Sequence, residues 1–349
     1  MAEVWLRFLP VSTGLAQQAV NAENPVLRFE PNTAFTYSEG WTLANVNRGW
    51  INNDGFVNDQ EYKRAGPRPL LAIIGDCFIE ARMMPSENTL QGRLAATVGT
   101  RGRVYTFAAA DAGLSQYLIW ATYAAAKYKP DAIAININAY NFEESLTKYG
   151  IIPGRYQFSE TIDGRLELRR SNFTPNPLRT IKKHSALLQY LDENLRTAIT
   201  IALHKGAECP PNSCASPDAQ RLADAQKVLT IFLDQLANRA GLPPERILLI
   251  VDSVRPEIYA NETAGKESYF GIMRQRLFEQ ARKRGYETID LNSFFSVAYR
   301  KDRRPLDLGG DRGHWSDVGH AVVADAVRDS KVFSEVFSGL KKIARSRSP

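Results

Sequence analysis

The strongest constraint in the sequence is an alternation, repeated along the chain, of short unbroken apolar runs with segments of helical spacing. Pro69-Leu70-Leu71-Ala72-Ile73-Ile74 stops at Gly75-Asp76 and is followed by Ser86–Val98, where Leu90, Leu94, Ala95 and Val98 recur at helical intervals. A run with no polar face is what a strand covered on both sides requires. Val104–Phe107, Ala132–Ile137, Arg246–Val251 and Thr288–Leu291 read as further strands. Residues 115–127, 219–240, 269–284, 318–327 and 332–343 read as helices, and Ser86 is the expected cap of the first. Strands alternating with helices of this length predict right-handed βαβ units, hence an α/β fold with a mostly parallel sheet covered on both faces.

At 349 residues the chain exceeds the usual domain, but an α/β domain carrying an insertion reaches this length around one core. Residues 1–66 read as an irregular, strand-poor lead-in and small β-rich flap, punctuated by Asn24-Pro25, Pro31-Asn32 and Asn52-Asn53-Asp54-Gly55. The α/β domain is expected over 67–340, with a basic tail over 341–349. Residues 146–215 break the rhythm with prolines, arginine-rich pieces and one helix near Ser185–Thr197, and are read as an insertion near the carboxyl edge of the sheet.

A hydrophobic content of 44% against 23% charged excludes a disordered or fibrous chain. The formal charge of +6 is spread in short runs, which read as solvated surface, with an anionic polymer or membrane surface as the alternative. No nucleic-acid partner is expected. No stretch approaches the roughly 18 to 20 apolar residues of a membrane span, and no charged-then-apolar signal segment opens the sequence. The opening Met1-Ala2-Glu3 followed by Val4–Pro10 reads as a juxtamembrane piece, with a membrane anchor expected upstream.

Cys209 and Cys214 flank Pro-Pro-Asn-Ser, where a short disulfide is expected if the compartment is oxidising. Metal binding is the alternative, but no second Cys or His pair at zinc-like spacing accompanies them, and no metal or cofactor is expected. Cys77 is then unpaired, at a strand-to-helix turn beyond the first buried strand, where parallel sheets meet ligands. Amides at a helix start can stabilise a developing negative charge, and the same setting is expected to lower the thiol's pKa. Near the other end, Asp311 stands three residues ahead of His314, close enough to orient the imidazole and stabilise its protonated form. His184 and His204 sit in the insertion without matching acids.

These two segments carry a family resemblance. Gly75-Asp76-Cys77-Phe78 is similar to the Gly-Asp-Ser-(Phe/Leu) block of the SGNH (GDSL-like) hydrolases, and Asp311-x-x-His314 looks like their terminal Asp-x-x-His block. Asn52-Asp54-Gly55-Phe56, Glu61-Tyr62, Gln116-Tyr117-Leu118 and Phe142–Leu146 resemble extracytoplasmic members, so the similarity covers about 50–150 and 245–328. The resemblance implies a three-layer α/β/α, flavodoxin-like SGNH hydrolase fold outside the cytoplasm, in the periplasm or a similar compartment. It implies an acyl-ester hydrolase or O-acyltransferase that works on an acylated carbohydrate or another small ester. Cys77 would be the nucleophile, His314 the base and Asp311 its orienting acid.

Three departures from the family pattern matter. A cysteine replaces the serine, and a thiolate is expelled more readily than an alkoxide, so thioesters suit it better than oxygen esters. The block that carries the family's oxyanion glycine reads Ala108–Gly113. Gly113 is the expected donor there, and an alignment on Gln116-Tyr117 puts Asp111 in its place. The third block reads Asn138-Ala139-Tyr140-Asn141-Phe142, with Asn141 the expected side-chain oxyanion donor and Asn138 behind it. Losing one such donor costs roughly 2.7 to 4 kcal/mol of transition-state stabilisation. The alternative is therefore a catalytically impaired member that serves as a polysaccharide-binding or assembly component. A cysteine introduced in place of serine is a third reading.

Overall fold

The computed structural model describes residues 1–196, 199, 217–259, 263–308 and 313–338. Asp311, Cys209, Cys214 and the tail 341–349 lie outside these, as does the last part of the helix expected over 332–343. In chain order the elements are α1 (Ala2–Leu6), β1 (Thr33–Glu39), β2 (Ala44–Ile51), β3 (Leu70–Gly75), α2 (Cys77–Glu80), α3 (Leu90–Val98), β4 (Arg103–Ala108), α4 (Leu114–Lys127) and β5 (Ala132–Ile137). They continue with β6 (Tyr156–Glu160), β7 (Leu166–Arg170), α5 (Ala219–Ala240), β8 (Ile247–Val251), α6 (Tyr269–Lys283), β9 (Glu287–Asp290), α7 (Leu291–Asp302), α8 (Asp317–Asp329) and α9 (Lys331–Val336).

Five of the strands form one sheet in the order β4-β3-β5-β8-β9, all parallel. Successive residues of a strand point to opposite faces, and each face meets its own apolar layer. Leu70, Ala72 and Ile74 pack with α4, α5 and α6, whereas Leu71 and Ile73 pack with α3, α7, α8 and α9. Each fully buried Leu or Ile contributes roughly 1.5–3 kcal/mol, so a strand with no polar face is stable only between two helical layers. The three-layer α/β/α arrangement and its parallel sheet are those expected from the sequence.

The remaining elements form two antiparallel hairpins and short helical turns outside this sheet. The lead-in is less strand-poor than expected, because β1 and β2 pair as an antiparallel hairpin. Gly49 makes that pairing tight: a Cβ there would lie 2.4 Å from the Phe35 ring, which covers the glycine. Asn47 ties the hairpin to the segment after α2 by donating to the carbonyls of Arg82 (2.9 Å) and Met84 (2.8 Å). Residues 146–196 hold a second antiparallel hairpin, β6 with β7, as well as helical turns at Leu178–Lys183 and Ala186–Gln189. The β6–β7 hairpin is fastened to the residues after β5 through the Phe158 N–H to the Ser145 carbonyl (2.6 Å). The cap expected at Ser86 is supplied instead by Thr89, whose hydroxyl accepts from Gly92 N, while Ser86–Asn88 form a separate 3₁₀ turn.

Candidate functional site

β3 delivers Asp76 and Cys77 past its carboxyl end, beside the point where the chain switches from β4 on one side of β3 to β5 on the other. Gly75 lets α2 fold straight back over the strand, since a Cβ there would come within 2.3 Å of Ile79. Asp76, 2% exposed, caps α2 by accepting from Phe78 N at 3.1 Å. Its other oxygen accepts from the amides of Asn138 (2.6 Å) and Asn141 (2.9 Å), which follow β5. Burial raises the Asp76 carboxyl, and the bonds from Asn138, Phe78 and Asn141 work against that rise. The asparagines are fixed in turn: Asn141 Oδ1 accepts from Asn138 N (2.8 Å) and Asn138 Oδ1 from Tyr140 N (3.0 Å).

Cys77 is half-buried at the first position of α2. Burial pushes its thiol well above the ordinary value, and Asp76, Glu144, Glu80 and Asp111 all push the same way. The depression expected from a helix start is therefore reversed. A helix of four residues offers a weak dipole, and burial together with the surrounding carboxylates outweighs it. At neutral pH Cys77 is a thiol. One of these acids, Glu144, is itself raised to about 8 by burial, Asp76 and Asp111. Another, Glu80, is buried and accepts from Ala110 N at 3.0 Å. The buried Arg155 donates to the carbonyls of Ala110 (2.8 Å) and Asp111 (3.2 Å), so it lines this acidic wall from behind.

The second segment converges on the first. The His314 ring lies 4.8 Å from the ring of Phe78, the residue after Cys77, and Trp315 packs edge-on against the same ring at 5.4 Å. His314 also acts electrostatically on Asp76. The turn that carries it is pinned by a buried ionic clamp. Trp315 Nε1 donates to Asp252 Oδ1 (3.0 Å) just past the end of β8. Arg255 donates to Asp252 (3.1 Å), to Asp307 (2.5 Å) and to the carbonyl of Gly313 (3.3 Å). Leu308 N donates to the His314 carbonyl at 2.9 Å. Asp252 and Arg255 were not singled out in the sequence. The rule that selected Cys77, a polar residue just beyond a buried parallel strand, also selects Asp252 after Val251.

Of the expected oxyanion donors, Gly113 starts α4 and Asn141 is already engaged. Gly113 caps α4 where a side chain has no room: a Cβ would lie 2.5 Å from the Ser145 nitrogen. Asp111, exposed at the mouth, takes a φ of +55°, a left-handed conformation that glycine adopts without cost. The Asn141 amide donates to Asp76 and to the Ala112 carbonyl (3.2 Å), so both its hydrogens are in use. Beside the two turns runs a groove of about 240 Å³, lined by Tyr37 and Val46 of the first hairpin, Met84, Leu308 and Asp317.

No family model matches the chain, and no curated protein matches it. Among solved structures it is similar to LAE5, an α/β hydrolase enzyme from the metagenome of Lake Arreo, Spain. That pair shares 14% identity over 76% of this chain and 95% of the other, with a TM-score of 0.41. It is also similar to the acetyl xylan esterase AlAXEase, at 12% identity over 74% of this chain and 97% of that one, with a TM-score of 0.41. A third is a member of the lipolytic protein G-D-S-L family from Veillonella parvula, at 10% identity over 77% and 98%, with a TM-score of 0.39.

Proposed function

We propose that this chain is an SGNH-type acyl-ester hydrolase or O-acyltransferase acting on an acylated carbohydrate, with Cys77 as nucleophile, His314 as base and Asp311 as the acid that orients it. The observation that carries the reading is the 4.8 Å contact of the His314 and Phe78 rings, which sets the imidazole turn against the Cys77 turn. Burial and the surrounding carboxylates raise the thiol, so attack needs a base to take its proton. His314 takes the thiol proton as sulfur bonds to the acyl carbon, and the carbonyl electron pair moves to oxygen. Collapse of that intermediate breaks the carbon–oxygen bond, and His314 returns the proton to the leaving sugar hydroxyl. Water, or a second hydroxyl, then attacks the thioester while His314 takes its proton, and sulfur leaves and is reprotonated. The Cys77 and Gly113 amides stabilise the oxyanion, joined by the Asn141 side chain as it exchanges its bond to the Ala112 carbonyl for one to the oxyanion, and the Tyr37–Met84 groove receives the sugar. In this reading the domain works outside the cytoplasm.

The test is acetate release from acetylated xylan and from p-nitrophenyl acetate by the wild type, Cys77→Ala and His314→Ala. Both variants are expected to lose activity by at least about a thousandfold. Equal release by wild type and Cys77→Ala would end the Cys77 mechanism. A second reading, a polysaccharide-binding or assembly protein of the same fold, is favoured by Asn141, whose amide hydrogens are both spent on Asp76 and Ala112. It predicts no turnover by the wild type or by Cys77→Ser, with retention of both on an acetylated polysaccharide column.

A further inference from the structure

Four carboxylates act on Cys77, and three of them are accounted for. Asp76 caps α2 and takes the amides of Asn138 and Asn141, Glu80 accepts from Ala110 N, and Asp111 is exposed at the mouth. Glu144 is the fourth. Its Oε2 is buried and has no hydrogen-bond partner among the described residues. The neighbouring Glu143 pairs with Arg221. Arg155, the cation that acts on Glu144, gives its hydrogen bonds to the carbonyls of Ala110 and Asp111 and to Gln17 Oε1 (2.9 Å). The turn after β5 puts the Glu144 carboxyl beside the oxyanion donors. Glu144 N donates to the Tyr140 carbonyl (3.1 Å) and Ser145 Oγ to the Asn141 carbonyl (2.6 Å), so residues 140–145 make one helical turn on which Asn141 and Glu144 share a face. From that face the Asn141 side chain reaches Asp76, next to Cys77. The same turn abuts Gly113, where a Cβ would lie 2.5 Å from Ser145 N and 2.8 Å from the Asn141 carbonyl oxygen.

We propose that Glu144 is an oxyanion donor of the Cys77 site: in its acid form the carboxyl O–H bonds the carbonyl oxygen of the acyl group as negative charge develops there. The role rests on the ester chemistry proposed above. Asn141 has to release the Ala112 carbonyl to take part, whereas Glu144 Oε2 has no bond to release. Donors that need no rearrangement stabilise a developing charge best, and a carboxyl kept neutral by its surroundings can be one. Burial, with Asp76 and Asp111, raises the Glu144 carboxyl to about 8 against the pull of Asn141 and Arg155, so at neutral pH it holds its proton. Ionised, the same group sets a negative charge against both the thiolate and the oxyanion, and turnover falls as the pH rises through about 8. The charged and titratable groups facing it are Asp76 and Cys77 at the β3–α2 turn, Asp111 after β4, Tyr117 of α4 and Arg155 before β6. Cys77 and Tyr117 are held well above their ordinary values, so neither titrates ahead of Glu144.

The test is acetate release from acetylated xylan by wild type, Glu144→Gln and Glu144→Ala between pH 6 and pH 9, with Cys77→Ala as the blank. Wild-type kcat is expected to fall about tenfold from pH 7 to pH 9. Glu144→Gln keeps a donor that cannot ionise, so it should stay within about fivefold of wild type at pH 7 and lose that fall. Glu144→Ala should lose about a hundredfold in kcat. Iodoacetamide labelling of Cys77, followed by mass spectrometry of its peptide, reads the same charge without turnover. Wild type and Glu144→Gln should label alike at pH 7, and the variant severalfold faster at pH 9. The role is overturned if Glu144→Ala stays within about threefold of wild type, if the fall above pH 8 persists in Glu144→Gln, or if the two label alike at pH 9. The ester reading survives each of these results. A wild type no faster than Cys77→Ala overturns that reading and this role with it. Should Glu144→Ala fail to fold, the profile and labelling of Glu144→Gln decide alone.

Discussion

The Cys77 turn and the His314 turn touch through Phe78, yet different chemistry holds each in place. Asp76 fixes the first with three neutral N–H donors, from Phe78, Asn138 and Asn141, all within the core. The second hangs on a guanidinium between two carboxylates, Arg255 with Asp252 and Asp307. The amide donors of the first network keep their hydrogens at any pH, but their acceptor is the Asp76 carboxyl, which burial raises, whereas the ionic clamp works only while both signs are present. Removing one charge from the clamp should therefore loosen the His314 turn more than losing one amide donor loosens the Cys77 turn.

Arg255→Met breaks this comparison most severely. It leaves Asp252 and Asp307 without their guanidinium in a site where water is excluded, and a loss of about 3–5 kcal/mol in urea unfolding is expected. Arg255→Lys keeps the charge but cannot reach Asp252, Asp307 and the Gly313 carbonyl at once, so it should retain the fold while lowering kcat. If Arg255→Met unfolds no more easily than wild type, the clamp is not what holds the His314 turn.

His320 links the two halves and supplies the pH dependence. Its Nδ1 accepts from Leu90 N at 3.1 Å, so α8, which follows the His314 turn, grips the start of α3, which follows the Cys77 turn. Burial, with Arg93 and His314 beside it, holds the imidazole down to about 3. The folded state therefore stays unprotonated while the unfolded chain takes up a proton below about 6.5, and stability falls as the pH drops from there towards 3. At pH 4 the loss from this residue is about 3 kcal/mol. His320→Asn keeps an acceptor near the Nδ1 position but does not titrate, so the gap between its urea midpoints at pH 7.5 and pH 4 should shrink. An unchanged gap would place the acid sensitivity elsewhere.

Asp76→Asn tests the amide side of the comparison. One oxygen becomes an NH₂ group facing donors, and a buried N–H is left without an acceptor, at a cost of about 2 kcal/mol. Activity should fall further than stability alone explains, because the start of α2 and the position of Cys77 depend on that cap. A variant that is destabilised but keeps the wild-type kcat would show that the network holds the core and not the thiol.

What was legible in the sequence follows the same division between local and assembled features. The strands β3, β5 and β8 could be read because a strand buried on both faces has no choice but to be apolar throughout. α7 was missed because no turn residue precedes it: Asp290 ends β9 and caps the helix in one step, accepting from Asn292 N. The β6–β7 hairpin was missed although Asp163-Gly164 is a turn signal, with Gly164 at a φ of +78°, because prolines and arginines around it suggested loop. Within the site, Gly75, Asp76, Cys77 and His314 were visible from their places at the ends of elements. The reversed shift of the Cys77 thiol was not, because its burial and the approach of Glu144 and Asp111 arise only once β4 and β5 flank β3. Arg255 was hidden for the same reason, since its value lies in partners that follow β8 and precede His314.

The smallest effect sharpens where the clamp ends. Tyr259, at its outer edge, donates to Asp307 Oδ2 at 2.6 Å and accepts from Leu306 N at 3.0 Å. Tyr259→Phe removes both bonds, but Asp307 keeps Arg255, and the position is partly open to water that can replace the hydroxyl. A loss of about 1 kcal/mol is expected, with kcat within about twofold of wild type. If the Arg255–Asp252–Trp315 bonds alone place His314, trimming the rim leaves the imidazole where it was. A fall in kcat comparable to that of Arg255→Lys would mean that the positioning network runs outward through Asp307, so that the exposed end of the clamp, and any ligand that touches it, can tune the base.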